Sequence, residues 1–241
     1  MPAKFEILTI PPENTNSVLM TVGNDAVIFD PWGHGDDWAK LLGERGLGLR
    51  AIYTTHGHGD HIAAAPALAM RYNVPWYLNA ADAPLIKWSE GLLEYFGLPS
   101  IDKNTSTHLP AGQFEILPGA WADVISVPGH SAGGMAFYFR DSGILIIGDT
   151  LFATGVGRTD LPGGNQTALT ETITRLMNMN FPDETFVIPG HGYASTWGEM
   201  RRVNPYIHSV CGCGYGQNSC TCHHEHAGPG SDHKHSCQYH K

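Results

Sequence analysis

The chain has 241 residues with a formal net charge of −9, and 42% of its residues are hydrophobic. This composition suits one α/β domain or two fused halves around a buried core. The acidic balance argues against nucleic acid and anionic membranes as partners, because both require basic patches. The sequence offers no apolar run long enough to span a membrane and no signal-peptide pattern at Met1–Glu6. We therefore expect a cytoplasmic protein, as a monomer or a homodimer.

Short apolar runs and turn residues predict alternating strands and helices along most of the chain. The predicted strands are Phe5–Ile10, Ser17–Val22, Ala26–Asp30, Ala51–Thr54, Val74–Leu78, Gln113–Leu117, Ala122–Val127, Met135–Phe139, Gly143–Ile147 and Thr185–Ile188. The predicted helices are Asp36–Arg45, His61–Tyr72, mixed segments within Ala81–Phe96, and Asn165–Met179. A capping box of Thr196 and Glu199 predicts the start of a last helix, which ends near Asn204. This order favours sheets packed face to face with helices outside them.

The composition changes after Pro205. All five cysteines lie beyond it, and Cys211–Lys241 is rich in Gly, Cys and His with almost no large aliphatic residues. Because such a segment cannot bury a core, we predict a catalytic domain over 1–208 and a flexible or metal-binding tail over 209–241. The candidate tail ligands are Cys211, Cys213, Cys220, Cys222, His223 and His224. Thiolates and imidazoles favour zinc or copper(I); a redox-sensitive or oligomerising element and a plain solvated tail are the alternatives.

Four ligand-type residues stand within six positions after an early predicted strand. They are His56, His58, Asp60 and His61, separated by two glycines that let the backbone turn. In an extended segment His56 and His58 point the same way, so both can reach one ion. Asp60 and His61 follow where the next helix begins and could turn toward a second ion.

Three more ligand-type residues stand just past other apolar runs. The pattern Val/Ile-Pro-Gly-His occurs twice, ending at His130 and His191, and a further apolar run ends at Asp149. Since open α/β folds place their sites at strand ends, we predict one cluster. Its members are His56, His58, Asp60, His61, His130, Asp149 and His191. Five imidazoles and two carboxylates suit zinc, iron or manganese, and they exceed one tetrahedral site, which predicts two divalent ions, preferably zinc, bridged by Asp149.

This set resembles the metallo-β-lactamase fold superfamily, whose signature is H-x-H-x-D-H followed by separate His, Asp and His ligands. The resemblance covers about Lys4 to Pro205 and implies an α/β fold, an αββα sandwich of two similar halves with the site at one edge. By that match one ion would be held by His56, His58 and His130, and the other by Asp60, His61 and His191. The true β-lactamases have Cys at the position of Asp149, which argues against antibiotic hydrolysis.

Finer motifs resemble the glyoxalase II-like hydrolases, the hydroxyacylglutathione hydrolases, in their short bacterial form. These motifs are Gly148–Phe152, Gly157–Asp160, Glu94–Pro99 and His191–Thr196. In the larger enzymes a basic residue and a tyrosine contact glutathione, so the match implies substrate binding by Arg158 and Tyr193. The other glutathione contacts belong to a C-terminal helical domain that the short form lacks.

Two further segments allow more than one interpretation. Arg158 could bind a substrate carboxylate as a fork or could form a structural ion pair with Asp160. The apolar stretch from Leu85 to Phe96 could be a lid or pocket wall, or it could be plain core or a dimer surface.

The predicted reaction is hydrolysis of a small-molecule thioester, such as S-D-lactoylglutathione, by a hydroxide that bridges the two ions. Asp60 is the candidate catalytic residue, because it could orient this nucleophile while acting as a ligand. One alternative is an iron-dependent persulfide dioxygenase, which would use a single iron held by His56, His130 and Asp149. A lactonase on the same site and a metal store built on the tail are further alternatives.

Overall fold

Two six-stranded sheets form the centre of the protein in the computed structural model, which describes residues 1–101 and 104–211. The first sheet contains, in spatial order, β1 (Lys4–Ile10), β2 (Thr15–Val22), β3 (Asp25–Phe29), β4 (Gly48–Tyr53), β5 (Trp76–Leu78) and β6 (Thr107–His108). The second contains β7 (Gly112–Leu117), β8 (Ala120–Ser126), β9 (Met135–Phe139), β10 (Ile144–Gly148), β11 (Phe186–Pro189) and β12 (Ser195–Thr196), also neighbours in this order. Both sheets begin with antiparallel pairings; three parallel pairings follow in the first sheet, and one parallel and one antiparallel pairing follow in the second.

Helices cover the outer faces of both sheets. They are α1 (Gly35–Glu44), α2 (Gly59–Ile62), α3 (Ala65–Tyr72), α4 (Ala83–Trp88), α5 (Glu90–Tyr95), α6 (Gln166–Met177), α7 (Trp197–Val203) and α8 (Pro205–Cys211). Short 3₁₀ turns occupy Ala80–Asp82 and Arg140–Ser142. Within the described residues, no helix is both long and apolar enough to cross a bilayer.

Three buried cores follow from this layering, and strand β2 shows how the sequence produces them. Val18 and Met20 of β2 pack into the core between the two sheets, whereas Leu19 faces the core beneath the helices of the first half. A third core, which includes Leu169 of α6, lies between the second sheet and its helices. Because both faces of the central strands are covered, their sequences are continuous apolar runs. The predicted αββα sandwich is confirmed.

The predicted helix His61–Tyr72 is two helices, and this difference has a local cause. The amide of Ala64 donates to the carbonyl of Pro31, 3.0 Å away, so the first helix ends at Ile62. Pro66 has no amide hydrogen and stands in the first turn of α3, a position that suits proline. The interruption leaves α2 as one turn that carries two of the predicted ligands.

The last helix, α8, was not predicted. Asn204 begins it by accepting hydrogen bonds from the amides of Tyr206 and Ile207, and Ile207 is 2% exposed. The helix continues past position 209, where composition had placed the start of the tail. Residues 212–241, with all the candidate tail ligands except Cys211, lie outside the described residues, so both the domain division and tail metal binding stay predictions.

Candidate metal centre

The predicted ligands of both halves meet at one edge of the two sheets. Four strands deliver them just past their C-terminal ends: His56 follows β4, His130 follows β8, Asp149 follows β10, and His191 follows β11. His58 precedes α2, and Asp60 and His61 lie within it. The described structure therefore brings all seven predicted residues into one cluster.

Three groups of three ligand atoms lie in this cluster, with the atoms of each group within 4.8 Å of one another; one of them, His56, His61 and Asp149, overlaps the other two. The three-histidine group is His56, His58 and His130. The acid-containing group is Asp60, His61 and His191. The Asp149 carboxylate lies between them, with its oxygens 3.6 Å from the Nε2 atoms of His61, His130 and His191.

The distances within each group are those of atoms that converge on a common centre. In the three-histidine group, His58 Nδ1 is 2.9 Å from His130 Nε2. In the acid-containing group, Asp60 Oδ2 is 3.0 Å from His191 Nε2 and 3.4 Å from His61 Nε2.

Backbone carbonyls orient two of the imidazoles. His130 Nδ1 lies 2.7 Å from the carbonyl oxygen of Arg158, and His191 Nδ1 lies 3.1 Å from that of Glu13. Because a carbonyl can only accept, Nδ1 carries the hydrogen in both rings. When either ring is neutral, its Nε2 is therefore the lone pair that faces the cluster, which is the form that a metal ligand needs.

Asp30 orients the other two Nε2 ligands, His61 directly and His56 through Thr55. Its Oδ2 is 3.0 Å from His61 Nδ1 and accepts from Thr55 Oγ1 at 2.7 Å, while its Oδ1 accepts from the Thr55 amide at 2.6 Å. Since the Thr55 hydroxyl donates to Asp30, it accepts from His56 Nδ1, which is 3.0 Å away. This network favours the hydrogen on Nδ1 in the neutral form of both rings, so that Nε2 faces the cluster.

Metal ions fit this donor set. His56 Nε2 and Asp149 Oδ1 are buried and have no hydrogen-bond partner among the described residues. Buried polar atoms of folded proteins almost always have a hydrogen-bond or metal partner, so these two atoms indicate a site for a bound ion. Mixed imidazole and carboxylate donors suit zinc, iron or manganese.

The two groups differ in their electrostatics. Burial is the main cause that lowers the pKa of His56 well below its ordinary value, and the positive charges that His61 and His58 can carry lower it further. Burial and the adjacent His130 lower the pKa of His58 to about 3. These imidazoles are thus neutral at physiological pH, as metal ligands must be.

The acid-containing group behaves in the opposite way. Burial opposes the charge on Asp60, but His61 and His191 outweigh it and hold the pKa of Asp60 well below its usual range. Burial likewise opposes the charge on His61, yet Asp60 and Asp30 raise its pKa well above the ordinary value. Burial also opposes the charge on His191, but the hydrogen bond that its ring donates to Asp60 raises its pKa. Without metal, His61 and His191 therefore keep their protons to higher pH than ordinary histidines, beside the ionised Asp60 carboxylate.

A family model described as the metallo-beta-lactamase superfamily matches residues 10–191. The chain belongs to that superfamily. Its curated relatives include the hydroxyacylglutathione hydrolase GloC of Haemophilus influenzae, 32% identical over 214 residues, which are 85% of this chain and 98% of the relative. The superfamily relation also confirms the resemblance drawn from the sequence motifs.

Solved structures of the superfamily match closely. TTHA1623, solved in a di-iron-bound form, aligns with a TM-score of 0.74 and 34% identity over 83% of this chain and 99% of that one. The BLEG-1 B3 metallo-beta-lactamase aligns with a TM-score of 0.74 and 30% identity over 85% and 99% of the two chains. The protein is therefore an enzyme of the metallo-hydrolase superfamily with a histidine and aspartate cluster for divalent metal.

The two predicted substrate contacts of this superfamily member lie at the protein surface. The Arg158 guanidinium donates two hydrogen bonds of 2.7 Å to the Asp160 carboxylate, which is the ion pair that the sequence offered as the alternative role. The carbonyl of Arg158 also fixes His130, so the residue supports the cluster through its backbone. Tyr193 is 63% exposed, two positions beyond the ligand His191.

The apolar stretch from Leu85 to Phe96 is only partly core. Leu85 is 3% exposed, and Phe96 packs edge-on against the Trp32 ring. Trp88 and Tyr95 are 46% and 81% exposed, and the Trp88 ring lies 5.6 Å from the His58 ring. One aromatic side chain of this stretch therefore borders the three-histidine group.

Sequence reasoning missed three buried polar residues that support the ligands: Asp30, Asp82 and Asn16. Asp30 ends an apolar strand run, and this is the same signal that identified Asp149. Asp82 precedes a helix with proline in its first turn, so the sequence suggests only an N-cap. Asn16 lies inside a strand and gives no local signal.

Proposed function

We propose that the protein is a glyoxalase II-like thioester hydrolase that uses two divalent ions, preferably zinc, and acts on small thioesters, including glutathione-derived ones. The supporting observation is the pair of adjacent three-ligand groups with Asp149 between them. Two-ion sites of this kind suit hydrolysis, in which one position activates water and the other binds the carbonyl oxygen. The GloC relative, a hydroxyacylglutathione hydrolase, supports the same substrate class.

The three-histidine group would hold one ion and the acid-containing group the other, with Asp149 shared. Bound ions would supply Lewis acidity and would lower the pKa of water into the neutral range. The chain's own residues fix the geometry, because Asp30 and the carbonyls of Glu13 and Arg158 hold the imidazoles in the ligating tautomer. No protein nucleophile is required.

Asp60 would orient the attacking water. Its Oδ2 is held between His61 and His191, so one edge of the carboxylate has a fixed direction. Because the pKa of Asp60 is held well below its usual range, the group stays ionised and accepts a hydrogen bond without taking the proton permanently.

Substrate contacts of Arg158 and Tyr193 belong to the same proposal. Tyr193 is 63% exposed and stands two positions after His191, so its side chain is open to a bound molecule. Arg158 would have to exchange its Asp160 partner for a substrate carboxylate, and an exposed ion pair of this kind is weak enough for that exchange.

The decisive experiment is metal analysis of the purified protein, paired with turnover of a thioester, a lactone, a β-lactam and glutathione persulfide. We expect two divalent ions per chain and the highest kcat/KM for S-D-lactoylglutathione. One iron per chain with oxygen uptake on the persulfide would establish the dioxygenase alternative. Preferential β-lactam or lactone turnover would also reject the thioester assignment.

Replacing the shared carboxylate tests the metal requirement. Asp149→Ala removes an oxygen that lies between both groups, so we expect loss of bound metal and of thioester turnover together. The matched control is Asp36→Ala, whose carboxylate is 93% exposed and pairs only with Arg71 in the described structure. Full activity of Asp149→Ala with both ions retained would reject the assignment.

A further inference from the structure

A buried carboxylate outside the ligand set joins two of the ligand loops. Asp82 is fully buried at the end of the 3₁₀ turn Ala80–Asp82, and its side chain does not cap the helix α4 that follows. Its Oδ2 accepts from the Gly57 amide at 3.0 Å and from the Ser131 hydroxyl at 2.7 Å. Its Oδ1 accepts from the Gly133 amide at 2.6 Å. Three donors therefore converge on one side chain.

These donors belong to different halves of the protein. Gly57 stands between His56 and His58 in the first half, whereas Ser131 and Gly133 follow His130 in the second half. The carboxylate thus links the two loops that build the three-histidine group. The ligand atoms His58 Nδ1 and His130 Nε2, one from each loop, lie 2.9 Å apart.

The packing around Asp82 leaves little room for adjustment. A Cβ added at Gly57 would lie 2.7 Å from the carbonyl oxygen of Asp82, and one added at Gly133 would lie 2.8 Å from its amide nitrogen. Contacts this short are not tolerated, so both loops are glycine where they pass the carboxylate. A protein keeps a buried charge only when hydrogen bonds compensate for its desolvation, and here they come from the ligand loops alone among the described residues.

We propose that Asp82 is a positioning residue that sets the distance between the His56–His58 loop and the His130 loop, and thereby controls metal retention by the three-histidine group. The inference rests on the proposed metal-dependent function. Asp82 touches neither the ion nor the substrate; it acts through the loops that carry the ligands.

Asp82→Asn is the informative substitution because it preserves size and removes one acceptor. The amide NH₂ cannot accept, so at least one backbone N–H of Gly57 or Gly133 loses its partner. We expect zinc affinity at the three-histidine group to fall about 10- to 100-fold, the usual effect of losing a group that orients ligands.

The measurement must resolve the two groups. Zinc-loaded protein is treated with increasing chelator, the number of bound ions is counted by native mass spectrometry, and crystals of the one-zinc form are examined by anomalous diffraction at the zinc edge. We expect the one-zinc form of Asp82→Asn to keep zinc at Asp60, His61 and His191 and to lack it at the three-histidine group.

A reciprocal variant separates positioning from general destabilisation. Asn16 donates from Nδ2 to the carbonyls of Pro189 and Gly192, which flank His191, at 3.0 and 2.7 Å. Asn16→Ala should therefore empty the acid-containing group first. The surface control is Asp123→Asn, whose carboxylate pairs with the exposed Arg140 and should leave both affinities unchanged.

The proposal fails if Asp82→Asn binds zinc within twofold of the wild type, loses both ions equally, or empties the acid-containing group first. If that variant does not fold, Ser131→Ala decides, because it removes one of the three donors and leaves the carboxylate. We expect it to weaken the three-histidine group about threefold to tenfold, and unchanged affinity would overturn the proposal. Zinc occupancy is read without any substrate, so failure of the thioester assignment would leave these outcomes interpretable.

Discussion

The repeated Pro-Gly-His segments need glycine for two different reasons. A Cβ at Gly190 would overlap Asp149 Oδ1 and would lie 2.7 Å from His61 Cε1, inside the metal cluster. A Cβ at Gly129 would instead collide with the backbone of α6 and lie 2.6 Å from the Leu169 nitrogen. One glycine therefore protects the ligand geometry, and the other lets a helix pack beneath a ligand loop.

Gly190→Ala should expel metal without unfolding the protein. The added methyl group displaces Asp149 or His61, so we expect zinc affinity to fall by at least about 10- to 100-fold, as measured by chelator competition. Gly155→Ala is the matched control, because its Cβ would meet nothing within 4 Å among the described residues. Equal zinc affinity in the two variants would contradict this account of the site.

At the scale of elements, helix α8 is tied to the loop that follows Asp149. Asn204 is fully buried and donates from Nδ2 to the carbonyls of Phe152 and Gly155, at 2.8 and 2.9 Å. The same side chain begins α8 through its Oδ1. This loop leads to Arg158, whose carbonyl orients His130, so α8 supports the cluster at a distance.

Asn204→Ala should lower the free energy of unfolding by about 2 to 3 kcal/mol, since it leaves buried carbonyls and helix amides without partners. Urea denaturation monitored by circular dichroism measures the change. Asn178→Ala is the control, because that exposed side chain bonds only the carbonyl of Thr174 in the described structure and should cost under about 0.5 kcal/mol. A similar loss in both variants would show that Asn204 has no special role.

The sequence predicted the strands and the ligand set well, because both depend on local signals. Runs such as Ile144–Ile147 are apolar throughout since both faces are buried, and ligand-type residues stand directly after them. What it missed depends on contacts between distant segments. From the sequence, Asp82 is predicted only as a helix N-cap, because its partners in the loops of Gly57 and Ser131 are far away in the chain. Helix α8 likewise begins after Asn204, whose side-chain partners are about 50 residues away.

At the scale of the whole molecule, the two ligand groups that the halves build together differ in charge. The imidazoles of His56 and His58 are neutral, because burial lowers their pKa, so protons do not compete there. The raised pKa values of His61 and His191 mean that the acid-containing group must release protons before it can bind a cation. Protons therefore compete with metal mainly at the acid-containing group.

Zinc should leave the two groups in a fixed order as the pH falls. Protonation of His61 and His191 empties the acid-containing group first, and the three-histidine group keeps its ion to lower pH. Zinc per chain, measured after dialysis across a series of mildly acidic buffers, should pass through a plateau of about one ion. Loss of the three-histidine ion first, seen by anomalous diffraction, would contradict this order.

Each ligand group takes two members from the first half and one from the second, and this division has a consequence for biosynthesis. A ribosome delivers His61 early, whereas its neighbour His191 emerges 130 residues later. Until the second sheet has formed and docked, the nascent chain offers incomplete and weak coordination. Cofactor acquisition is therefore timed to follow completion of the sandwich, and an occupied centre reports that both halves have assembled.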